Sequence, residues 1–67
     1  MDKIGAFAFL LGMKCSELQR KGVRVEDVKK KYPELAECIG VFMKTGGNIA
    51  AVPPTTIYKA MWQIMNV

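Results

Sequence analysis

Apolar residues recur every three or four positions in the first third of the chain, the spacing that places side chains on one side of an α-helix. These residues are Ile4, Phe7, Ala8, Leu11, Cys15 and Leu18. Gly22 follows them and favours the end of a helix. The pattern predicts a first helix over about 3–21, with its apolar side buried in a protein core.

Two shorter helices are predicted in the middle of the chain. Acidic residues precede lysines in VEDVKKKY, an order that suits the helix dipole and predicts a helix over about 25–31. Tyr32 precedes Pro33 and is therefore disfavoured as a helical residue, whereas Pro33 suits the first position of another helix. That helix is predicted over about 33–45 and ends at two glycines. One kinked helix spanning both segments is the alternative.

A last helix is predicted over about 55–66, with Thr55 or Thr56 as its N-terminal cap. No stretch shows the sustained alternation of apolar and polar residues that marks a strand. The apolar fraction of 51% supports a packed domain, although a domain of 67 residues buries only about 60% of the surface of its unfolded chain. We therefore expect an all-α fold, a single domain over 1–67 built as a small bundle of three to four short helices.

The positive charge of the chain is concentrated in one segment, 20–31. Its net charge equals the +4 of the whole chain, because six basic residues stand there against only Glu26 and Asp27. The six are Arg20, Lys21, Arg24, Lys29, Lys30 and Lys31. Such a segment attracts phosphate groups or an acidic protein. The alternative is a solvated surface that keeps the protein in solution.

Several classes of function are disfavoured by what the sequence lacks. It contains no histidine, and Cys15 and Cys38 lie 23 positions apart without a CxxC motif, so the usual zinc sites are not expected. The carboxylates are scattered along the helices beside lysines, so we expect neither an enzyme nor a cofactor. The apolar run from Ile4 to Met13 is shorter than the ~20 residues of a transmembrane helix, and no signal-peptide cleavage site follows it. We expect a cytoplasmic protein with reduced thiols.

The stretch GGNIAAVPPTTIYKAMWQI, residues 46–64, resembles the turn and recognition helix of helix-turn-helix proteins. Ile49 and Ala50 are similar to part of the helix before the turn, and the residues that follow Pro53 are similar to the start of the recognition helix. The resemblance implies that the last helix lies in the major groove of DNA, with the basic segment 20–31 on the phosphates. The residues of this helix expected to contact DNA are Thr55, Tyr58, Lys59 and Gln63.

A second function from another class is equally consistent with the sequence. Phe9 and Met13 lie opposite Leu11 on the first helix, so this helix has apolar residues on two sides. A strip of small residues, at which another helix backbone can approach closely, also follows it: Gly5, Ala8, Gly12 and Ser16. Together with Tyr58 and Trp62, these features are typical of a protein-interaction module, either an assembly subunit, a small inhibitor or a self-associating protein.

Overall fold

The computed structural model describes residues 3–67, which form four α-helices: α1 (Lys3–Lys21), α2 (Val25–Lys31), α3 (Pro33–Thr45) and α4 (Pro54–Gln63). A single 3-10 turn, Ile64–Asn66, continues α4. The predicted all-α bundle is confirmed, as are the bounds of the first three helices. The last helix begins one residue earlier than predicted, and its final turn is tighter than an α-helical turn.

Residue Tyr32 separates α2 from α3, so the alternative of one kinked helix is wrong. Its backbone has φ −133° and ψ 68°, outside the helical region, because Pro33 disfavours helical geometry in the preceding residue. The Tyr32 N–H still donates to the carbonyl of Val28 at 2.8 Å, and its own carbonyl accepts from Ala36 N–H at 2.9 Å. The two helices therefore meet at Tyr32 without an intervening loop.

Prolines, rather than threonines, begin α4. Pro53 is the N-cap residue, and Pro54 occupies the first helical position, where its missing N–H leaves no bond unmade. The Pro53 carbonyl accepts from Ile57 N–H at 3.1 Å. The prediction that Thr55 or Thr56 caps the helix is therefore wrong, since both lie within its first turn.

Helix α3 lies at the centre of the bundle, and α1, α2 and α4 all pack against it. Every buried residue in the described part of the chain is apolar. These core residues are Phe7, Leu11, Cys15, Leu18, Val28, Leu35, Ala36, Cys38, Ile39, Ile49, Val52, Ile57, Ala60 and Ile64. The predicted apolar side of α1 is buried except at Ile4, which is 41% exposed, and Ala8, which is half-buried.

Adjacent leucines on α1 have opposite environments, and this contrast tests the packing. Leu11 is fully buried and Leu10 is 48% exposed. We expect Leu11→Ala to lower the free energy of unfolding by about 2–5 kcal/mol, because it leaves a cavity, and Leu10→Ala to lower it by less than about 1 kcal/mol. Urea unfolding followed by circular dichroism measures both. Equal losses would contradict the orientation of α1.

Candidate functional site

Four exposed side chains form a stripe along α4. Thr55, Tyr58, Lys59 and Trp62 are three or four positions apart, so they share one side of the helix, opposite the buried Ile57 and Ala60. Tyr58 is 54% exposed and Trp62 is 78% exposed. Three of the predicted DNA-contacting residues of this helix therefore face outward, as the resemblance implies.

The fourth predicted residue, Gln63, does not face outward. It is half-buried, and its side-chain oxygen accepts from Leu35 N–H at 2.9 Å, while its amide nitrogen donates to the Glu34 carboxylate. Both partners lie in the first turn of α3, where Tyr32 provides no side-chain cap. Gln63 therefore caps α3 from a neighbouring helix, and the prediction that it lies on the exposed side with Thr55 and Lys59 is wrong.

The connection before α4 contains no helix. Eight residues separate Thr45 from Pro54, and Ile49 and Ala50 lie within this connection. Ile49 is buried in the core, and the Asn48 side chain accepts from Ala50 N–H at 2.9 Å. The helix that precedes α4 is therefore α3, and eight residues lie between the two helices. Ile49 and Ala50, which resemble the helix before the turn, lie in this connection and not in α3.

The six residues of the basic segment are all exposed. Lys29 borders a cleft with Thr56, and Glu34 and Glu37 line the same cleft. Arg20 borders a different cleft, beside Met65. The structure thus places Lys29 near Thr56 of α4, with two carboxylates beside it.

The outer side of α1 carries large apolar side chains that no described residue covers. Phe9 is 65% exposed and Met13 is 58% exposed, and both lie opposite Leu11 as predicted. Leu10 and Met13 share a cleft with Met65, which is 83% exposed. We use the name apolar surface for the large exposed apolar side chains of α1 and of the end of α4, and its members are Phe9, Leu10, Met13, Trp62 and Met65.

Leu10 and Met65 were not singled out by the sequence analysis. Leu10 directly precedes the buried Leu11, and consecutive helical residues point about 100° apart, so Leu10 lies beyond the edge of the apolar side on which Leu11 is central. This offset is the signal that could have identified Leu10. Met65 follows the buried Ile64 in the 3-10 turn, and nothing in the sequence predicts that turn.

The small-residue strip of α1 is partly occupied from within the fold. A Cβ atom on Gly12 would lie 3.2 Å from Phe42 Cζ, so the ring of Phe42 in α3 packs where a larger residue would crowd it. Gly5, Ala8 and Ser16 line a cleft with the same ring. The close approach predicted from the strip is therefore at least partly an internal contact between α1 and α3.

Three ionisable groups among residues 3–67 have clearly shifted pKa values. The half-buried Glu17 carboxylate forms ion pairs with Lys14 and Lys21, and their hydrogen bonds and charge lower its pKa to about 2. Burial raises the pKa of Cys38 to about 11 and also raises the pKa of Cys15. Both thiols therefore stay protonated and unreactive at neutral pH.

Residues 3–67 contain neither a metal-binding cluster nor a helix that could cross a membrane. No cluster of three or more histidine, cysteine, aspartate or glutamate residues in this range is placed to hold a metal ion. None of its helices combines the length and the apolar character that crossing a membrane requires.

Comparison with known proteins gave no match to a family model, a curated protein or a solved structure. Any function proposed for this protein is therefore inferred from its own sequence and geometry.

The role of Gln63 can be tested against an exposed residue of the same helix. We expect Gln63→Ala to lower the free energy of unfolding by about 1–3 kcal/mol, because Leu35 N–H loses its acceptor in a half-buried position. Lys59→Ala is the matched control and should change it by less than about 0.5 kcal/mol. Thermal and urea unfolding measure both. A Gln63→Ala variant as stable as Lys59→Ala would contradict the capping role.

Proposed function

We propose that the protein acts by binding another protein through the apolar surface, as an assembly subunit or a small inhibitor. The observation that carries this proposal is the exposure of large apolar residues on α1 and at the end of α4. Leu10, Met13 and Met65 line one cleft, and Trp62 and Met65 are each more than three-quarters exposed. Aromatic and methionine side chains are enriched at the centres of protein interfaces, and large contiguous apolar patches are rare on monomers without such a role.

The size of the core supports this interpretation. The bundle already has a core of fourteen buried apolar residues, and α1 contributes Phe7, Leu11, Cys15 and Leu18 to it. Phe9 and Met13 lie on the other side of that helix and add nothing to the core. An exposed phenylalanine and an exposed tryptophan carry a solvation cost that a bound partner removes.

Photo-crosslinking from the apolar surface tests the proposal. With Phe9 replaced by a photoreactive benzoyl-phenylalanine in the full chain, in the cells that produce it, we expect illumination to give one discrete protein adduct. The same analogue at Gln19, an exposed polar position of α1, is the control and should give none. Addition of Leu10→Asp should abolish the adduct formed from position 9. The same analogue in place of Trp62 is a second probe of the apolar surface. If neither position 9 nor position 62 gives a discrete adduct, the proposal is overturned.

The basic segment favours DNA binding as a second candidate function. Lys29, Lys30 and Lys31 are consecutive and exposed at the end of α2, and among the described residues the ion pairs involve other lysines. In this candidate the three lysines contact phosphates, while Thr55 and Lys59 face the bases. The carboxylates of Glu34 and Glu37 beside Lys29 and the engaged side chain of Gln63 both weigh against it.

Salt dependence tests this second candidate. If the lysines contact phosphate, affinity for a duplex of about 20 base pairs falls as salt rises, and Lys29→Gln with Lys30→Gln reduces the log–log slope by about 2. Lys44→Gln, at the far end of α3, is the control and should leave the slope unchanged. Fluorescence anisotropy measures the affinity. No binding at low salt, or equal slopes for all variants, would eliminate this candidate.

A further inference from the structure

Two clefts between α1 and the end of α4 share three lining residues, and we refer to them together as the trough. One has a volume of about 350 Å³ and the other about 290 Å³, and both are lined by Leu10, Ile64 and Met65. Their far ends lie at Lys3 and Arg20, so the trough follows nearly the whole of α1. At a rise of 1.5 Å per residue this length is about 26 Å.

The lining of the trough suits a helical occupant. Its floor and sides are largely apolar, with Phe7 and Ile64 buried at the base and Met61 and Met65 along one side. Methionine side chains adapt to the shape of a bound surface. A peptide that binds by strand addition would need a sheet edge for its backbone hydrogen bonds, and residues 3–67 contain no strand. A helix satisfies its own backbone groups and presents apolar residues every third or fourth position along such a length.

The charge around the trough determines which helix it accepts. Lys3 lies at one end, Arg20 at the other and Lys14 between them. The only acidic residue in the lining of either cleft is Glu17, whose oxygens lie 2.9 Å from Lys14 Nζ and 3.0 Å from Lys21 Nζ. The rim is therefore positive, and a second copy of the chain would bring the same cations to it.

From these observations we infer that the trough binds an amphipathic helix of a partner protein, one that carries acidic residues beside its apolar side. The inference rests on the proposed protein-binding function and specifies the partner. Apolar anchors of the partner helix pack on Leu10, Met61 and Met65, and its carboxylates lie near Lys3 and Arg20. Charge complementarity of this kind selects the partner and its orientation more than it adds affinity.

A pair of synthetic peptides tests the inference on the full chain. Both peptides are helical and about 18 residues long, and both have leucine at the same positions, every third or fourth residue. At the positions beside the leucines, one peptide has glutamate and the other has lysine. We expect the glutamate peptide to bind at least about tenfold more tightly in fluorescence anisotropy. Arg20→Glu combined with Lys3→Glu should remove or reverse this preference.

Variants locate the binding on the trough. We expect Leu10→Asp to weaken the glutamate peptide at least about tenfold, which corresponds to about 1.4 kcal/mol. Gln19→Asp introduces the same charge on α1 at a position that does not line the trough, and should change the affinity by less than about twofold. Met65→Asp is the second trough variant if Leu10→Asp fails to fold, since Met65 is 83% exposed.

Three outcomes would overturn the inference. If the two peptides bind with equal affinity, or if neither binds, the trough does not select an acidic helix. Binding to vesicles of phosphatidylglycerol and phosphatidylcholine that Leu10→Asp abolishes, with no peptide preference, assigns the trough to a membrane surface. A dimer in sedimentation analysis that Leu10→Asp dissociates assigns it to a second copy. If the peptides fail while the adduct from position 9 persists, the proposed function stands and only the identity of the partner is wrong.

Discussion

The packing of three helices on α3 is the contact on which the rest of the structure depends. Leu35, Ala36, Cys38 and Ile39 of α3 are all nearly or fully buried, because α1, α2 and α4 cover this helix from different sides. Among residues 3–67 no further helix covers the outer sides of those three. The apolar surface on α1 and α4 is thus the direct result of where the core lies. Binding of a partner there would also stabilise a domain of this size by mass action.

Local residue chemistry is what made most of the fold predictable. The first three helices begin and end where the sequence predicts, because Gly22, the Tyr32-Pro33 pair and Gly46 each act on the backbone of their own neighbourhood. Gly46 has φ 73°, a conformation that few other residues adopt readily at a helix end. Helical spacing, which is also a local property, predicted which side of α1 faces the core. It also predicted the outward positions of Phe9 and Met13.

What the sequence could not predict depends on contacts between distant segments. Helical spacing predicts that Gln63 is an exposed polar residue. Its side-chain oxygen instead accepts a hydrogen bond from the N–H of Leu35, 28 positions earlier, at the start of α3, which has no side-chain cap of its own. Ile4 belongs to the apolar stripe of α1 but extends past the end of the core and is 41% exposed. The trough depends on α1 and the turn after α4 lying side by side, and no local pattern reports that arrangement.

The wall of the trough is held in place by side chains that lie outside the apolar surface. Tyr32 donates its hydroxyl to the carbonyl of Asn66 at 3.1 Å, and Lys14 donates to the main-chain oxygen of Val67 at the same distance. These bonds attach the segment around Met65 to the α2–α3 junction on one side and to α1 on the other. A wall fixed before binding loses less conformational entropy when a partner arrives. The exposed Met65 is therefore a flexible side chain on an anchored backbone, which suits a surface that adapts its packing to a helix without changing its own fold.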